Sequence, residues 1–103
     1  MTDHAASAQA LAALGHEARL HIFRFLVRAG TAGATVGQIG DHLDMPASTL
    51  AHHLRSLVTA GLLSQERHGR EVITKVDFAR MTGLIDFLTS ECCTGIELKR
   101  DVA

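Results

Sequence analysis

The sequence predicts a mainly α-helical domain of five helices carrying one β-hairpin, and three observations predict it. Apolar residues recur at helical spacing along most of the chain, as in Ile22, Phe23 and Leu26, in Leu50, Leu54 and Leu57, and in Phe78, Met81, Ile85 and Leu88. Only LLSQERHGREVITKV at 62–76 alternates instead, around a His-Gly turn, as paired strands do. At 103 residues the chain is one domain, 1–103, with room for one modest core and no second lobe.

The first helix is read from AASAQALAAL at 5–14, alanine-rich and turn-free, whose small side chains favour helix and let another helix approach closely. Gly15 punctuates it. The second helix covers 17–28, and GTAGA at 30–34 ends it with glycine. Thr35 opens TVGQ, a capping box in which the Thr hydroxyl and the Gln38 side chain satisfy the first free amides of a short helix reaching Leu43. After the turn DMP, Pro46 fits the first turn of the fourth helix, where no amide is needed.

With Leu50 set at zero and about 100° per residue, Leu54 falls at about 40° and Leu57 at about 340°, one buried stripe. Ser48, Thr49, His52, Arg55 and Ser56 lie between about 140° and about 260°, a polar outer face. His53, at about 300°, flanks the stripe. Two readings stay open for it: an outward contact, or a brace against the neighbouring helix. Gly61 ends this helix, and the hairpin follows with its turn at His68 and Gly69. Asp77 can cap a last helix running to about Glu91. There Phe78, Met81, Ile85 and Leu88 share a face, and Leu84 and Phe87 widen the apolar arc to roughly half the circumference. A domain this small is not expected to cover that arc alone. The first and last helices are therefore expected to pack against their equivalents in a homodimer, through Leu11, Leu14, Leu84 and Phe87.

Net charge is −1, so the chain as a whole is not basic. Between Pro46 and Val76, however, four cations (Arg55, Arg67, Arg70, Lys75) face two anions (Glu66, Glu71), and one surface of a neutral protein can be positive. No basic-plus-apolar leader opens the sequence, and its apolar runs fall far short of the ~20 residues that span a bilayer. A soluble, cytoplasmic protein is expected. Two helices joined by a tight turn, the second polar outside, then a basic-tipped hairpin, is the order of a winged helix-turn-helix.

LGHEARLHIFRFL, STLAHHLRSLVTAGLL and RHGR resemble, along nearly the whole chain, the arsenical-resistance (ArsR) family of metalloid- and metal-responsive repressors. The resemblance implies a homodimer on double-stranded operator DNA. It makes Ser48, Thr49, His52, His53, Arg55 and Ser56 the recognition-helix candidates, and Arg67, His68 and Arg70 the wing contacts to phosphate. The chain contains no Asn, and Gln9, Gln38 and Gln65 lie outside that helix, so the bidentate amide contact to adenine is missing there. Family members commonly carry Gln near its start, where this chain has Ala47.

Cys92 and Cys93, in ECCTG, are the only cysteines. In a reducing compartment such a pair suits a ligand or redox role rather than a staple, and adjacent residues close almost no loop. Soft thiolates match trivalent arsenic or antimony. The family's thiolate motif on the helix before the recognition helix is absent, since GQIGDHLD has no cysteine, and the last helix lacks the histidines of zinc-sensing relatives. ECCTG resembles a variant C-terminal inducer site, and zinc is not expected there. A third thiolate, usual in such sites, is missing through Ala103. The rival readings are a redox or persulfide switch, a small thiol oxidoreductase, a winged-helix protein-interaction module, and two cysteines serving as small hydrophobes. HEARLH at 16–21 fails as a zinc-protease motif, because its histidines stand five apart instead of four.

Overall fold

The computed structural model describes residues 3–99. In chain order these form α1 (His4–Leu14), α2 (Glu17–Ala29), a 3₁₀ turn (Gly30–Ala32), β1 (Ala34–Thr35), α3 (Val36–Leu43), α4 (Ala47–Thr59), β2 (Leu63–His68), β3 (Glu71–Val76) and α5 (Phe78–Thr89). This is the winged helix-turn-helix expected, with α3 and α4 as the helix pair and β2–β3 as the wing. No helix among the described residues is long and apolar enough to cross a membrane.

Local chemistry starts the helices. Asp3 accepts the Ala6 amide at 2.7 Å. At α3 both halves of the capping box form: the Gln38 amide donates to Thr35 Oγ1 at 3.1 Å and the Thr35 amide to Gln38 Oε1 at 2.8 Å. Asp44, left-handed at φ 51, turns the chain between α3 and α4, and Pro46 is the residue that precedes α4 rather than part of its first turn. The expected stripe is the core: Leu50, Leu54 and Leu57 are buried against Ile22, Leu26, Ile39 and Leu62.

The sheet holds one strand more than the hairpin. β1 pairs antiparallel with β3, Ala34 opposite Thr74 and Thr35 opposite Ile73, in the order β1-β3-β2. Gly33 permits the approach, since a Cβ there would lie 2.5 Å from the Thr74 carbonyl oxygen. Thr35 thus both pairs with the sheet and caps α3, tying the wing to the helix pair. The wing turns at Gly69 and Arg70, one residue later than expected, because His68 still pairs with Glu71. Gly69 has φ 64, the sign a type II′ turn requires at its first central position.

α5 takes Leu84 out of the expected dimer face. Leu84 is buried at 6% exposure in its own chain's core, Leu14 packs partly buried against that core, and Phe87 meets the His4 ring edge-on at 5.0 Å. Of the four expected residues Leu11 stays open on α1 (42% exposed), and on α5 the open apolar side chains are Ile85 (52%) and Leu88 (57%). A helical wheel groups residues into an arc but does not say which edge of the arc meets the neighbour. Here α1 packs on α5, and the arc is rotated so that Leu84 points inward. The helix also ends at Thr89, short of Glu91.

Candidate nucleic-acid interface and thiol pair

α4 presents Ser48, Thr49, His52 and Arg55 to solvent on the side opposite its leucine stripe. Two expected members are occupied inside the protein. Ser56 is half-buried and donates back to the His52 carbonyl at 3.3 Å. His53 is buried at 7% exposure, its ring 4.8 Å from that of His16 and 5.6 Å from that of His52. Burial first, then the nearby His16, Arg19 and His52, hold its pKa below the ordinary histidine value. His53 is therefore the brace, and its place among the DNA contacts is withdrawn. The reason is geometric: at the edge of the stripe it meets the α1–α2 corner, where His16 stands as the N-cap of α2.

The other end of α4 is held by a residue that sequence reasoning did not single out. Arg80, in the first turn of α5, donates from Nη2 to the Ala60 carbonyl at 3.2 Å, satisfying an orphan acceptor at the helix C-terminus with a cation that its dipole favours. Gly61, at φ 81, leaves room for it, since a Cβ would meet the guanidinium at 3.0 Å. A lone Arg at helical position three carries no sequence signal of such reach. The contact couples α5 to the reading helix.

On the wing, Arg67, His68 and Arg70 are all exposed. Glu66 accepts from Lys75 at 3.0 Å and lies 3.1 Å from His68 Nε2, and these two partners, Lys75 foremost, hold its carboxyl below its usual range. His68 is thereby paired within the strand. Arg67 and Arg70 have no carboxylate at ion-pair distance among the described residues, which leaves them as the wing's free cations.

Beyond Thr89 the chain makes successive turns: the Cys92 amide donates to the Thr89 carbonyl at 3.1 Å and the Thr94 amide to that of Glu91 at 3.3 Å. Glu91 (φ 59), Cys93 (φ 65) and Gly95 (φ 84) alternate in the left-handed region. Both thiols are exposed and free, so the reading of two buried hydrophobes fails. The Cys92 thiol is pushed up in pKa, chiefly by its hydrogen bond with the Cys93 thiol. Among the described residues no group of three or more His, Cys, Asp or Glu is placed to hold a metal ion. The pair therefore stands as two adjacent sulfurs with no third donor grouped beside them among the described residues.

A helix-turn-helix domain family model matches residues 14–66, from the end of α1 into β2. An uncharacterized HTH-type transcriptional regulator, YbzH of Bacillus subtilis (strain 168), is 35% identical, covering 77% of this chain and 91% of that protein. Among solved structures, an ArsR-like transcriptional regulator from Rhodococcus sp. RHA1 has a TM-score of 0.73 at 27% identity, covering 82% of this chain and 77% of that one. HlyU from Vibrio cholerae N16961 has a TM-score of 0.69 at 26% identity, covering 90% and 99%. A Mycobacterium bovis winged helix-turn-helix domain, itself described as homodimeric, shares the fold at a TM-score of 0.66 and 22% identity, covering 92% and 88%. Matched over half its length by a helix-turn-helix model and built on the same winged scaffold, the chain belongs to the ArsR-like family of winged helix-turn-helix transcriptional regulators.

Proposed function

We propose that this regulator is a homodimeric repressor that holds operator DNA through α4 and the wing of each protomer, and releases it when a trivalent arsenical or antimonial bridges Cys92 and Cys93. The observation that carries the reading is the thiol pair itself: two adjacent, exposed sulfurs with no third donor among the described residues. A methylarsenite, CH₃As(OH)₂, needs no more. Two As–S bonds form, two As–O bonds break, and two waters leave with the thiol protons. Because those protons depart in water, a thiol pKa raised at Cys92 does not oppose the reaction, whereas zinc must displace both protons into solvent and still lacks two ligands.

The open face of Leu11, Ile85 and Leu88 supports the dimer, and a Mycobacterium bovis domain of the same fold is itself homodimeric. It also gives the inducer a route to DNA. α5 runs from the thiols at one end to Arg80 and the Ala60 carbonyl at the other, so a shift of α5 moves the end of α4.

Exposure of both thiols supports a second reading, in which a peroxide or persulfide takes two electrons and two protons from the pair. One titration separates them. Anisotropy of a labelled duplex from upstream of the gene is followed as methylarsenite, arsenite, antimonite and zinc are added anaerobically with reductant, and hydroperoxide or persulfide without it. The expected order is methylarsenite at least as effective as arsenite, with zinc weak. Release by oxidant or persulfide alone would make the pair a redox switch.

A further inference from the structure

The wing lies along one flank of α4, and a second groove follows the other flank, between α4 and the corner formed by α1 and α2. Arg19 of α2, Gln9 of α1 and His52, Arg55, Ser56 and Thr59 of α4 line it, an open space of about 640 Å³. Ala13 and Ala60, both buried, form its floor, small enough to keep the helices close.

Two features of this groove are unexplained by packing. The first is an unmet hydrogen-bonding demand: Arg19 Nε and, on α4 beside the His16 ring, His53 Nδ1 are buried with no partner. Buried polar atoms are almost always satisfied, and the Nε of this guanidinium meets no acceptor of its own chain. The second is unbalanced charge. Arg19 and Arg55 converge with the His16, His52 and His53 rings, and no carboxylate among the described residues lies within ion-pair distance of any of them. No group in the lining is acidic, and Arg19, Arg55 and Gln9 bring hydrogen-bond donors to it.

We infer that Arg19, with His52 and Arg55, forms a phosphate-binding groove that takes a backbone phosphate of the bound duplex on the side of α4 opposite the wing. A helix seated in the major groove, about 12 Å wide, has a sugar–phosphate backbone on each side. The wing arginines meet one. Arg55 borders both the wing-side groove and this one, so it stands at the centre of the reading face. The Arg19 groove, open along its length rather than enclosing, suits a phosphate that remains part of a strand. A planar guanidinium holds such a group through two parallel hydrogen bonds.

The inference rests on the DNA-binding reading, and its test separates the two. Full-length Arg19→Ala, Gln9→Glu and the double variant Arg67→Ala/Arg70→Ala are titrated with the upstream duplex and with an unrelated duplex over a series of salt concentrations. Arg19→Ala is expected to weaken both duplexes by the same factor and to flatten the salt dependence by about one unit of slope. Gln9→Glu, an exposed change that sets a carboxylate across the groove from Arg19, is expected to weaken both while leaving the thermal midpoint in place. If Arg19→Ala keeps wild-type affinity and slope while the wing variant loses both, the groove inference is overturned and the DNA-binding reading stands. If wild type binds neither duplex, the DNA-binding reading falls. A fourth arm adds inorganic phosphate at constant ionic strength: a rise in thermal midpoint for wild type and not for Arg19→Ala, with DNA affinity equal in both, would overturn the DNA assignment and give the groove to a free phosphorylated ligand.

Discussion

His53 shows how a single side chain couples the reading helix to the rest of the domain. Its ring fills the corner beside His16, and burial first, then His16, Arg19 and His52, opposes its protonation. The facing titratable and charged groups are His16 and Arg19 on α2 and His52 on α4 itself. Because the folded pKa lies below 6.5, the folded and unfolded chains are both neutral at this residue above that pH, and its contribution is then complete. As pH falls below 6.5 the unfolded chain takes up a proton that the folded one refuses, so stability declines. Wild type should lose urea stability between pH 7 and pH 5 more steeply than His53→Gln. Equal slopes would remove His53 from the pH dependence. The wheel placed this residue at the edge of the stripe and left its role open, because an angle says nothing about what stands opposite. Arg80 was hidden for the same reason: its partner, the Ala60 carbonyl, is twenty residues away.

Helices whose signals are local were legible element by element. The capping box at Thr35 and the Leu50, Leu54 and Leu57 stripe appear where their spacing put them, since both depend on neighbours within one or two turns. β1 was not legible, because two residues are too few to show a period and their pairing with β3 is a long-range contact. α5 divides between these cases: its existence was clear, but the division of its apolar arc between core and open face depends on α1. The structure makes that division testable. Leu84→Ala should cost the domain roughly 2–5 kcal/mol as a core cavity. Leu88→Asp, on the open face, should leave a folded helical protein by circular dichroism that sediments as a monomer and has lost tight operator binding. A Leu88→Asp protein that remained dimeric would place the interface elsewhere.

At the scale of the whole molecule a chain of net charge −1 sets four arginines without an ion-pair partner among the described residues about α4, Arg67 and Arg70 on the wing and Arg19 and Arg55 beside the reading helix. The thiols stand past the far end of α5, and α5 reaches α4 through Arg80. In the function proposed, that arrangement separates DNA binding from DNA release. An inducer can dissociate the complex only through a difference in its affinity for the two conformations, typically a coupling of about 1–3 kcal/mol. The most direct measurement is operator affinity with and without saturating methylarsenite, for wild type, Cys92→Ser and Cys93→Ser, under anaerobic reducing conditions. All three proteins should bind operator alike without inducer, and only wild type should weaken with it, by about 5- to 150-fold. Equal weakening of either Ser variant at the same methylarsenite concentration would contradict the account and place the sensor outside Cys92 and Cys93.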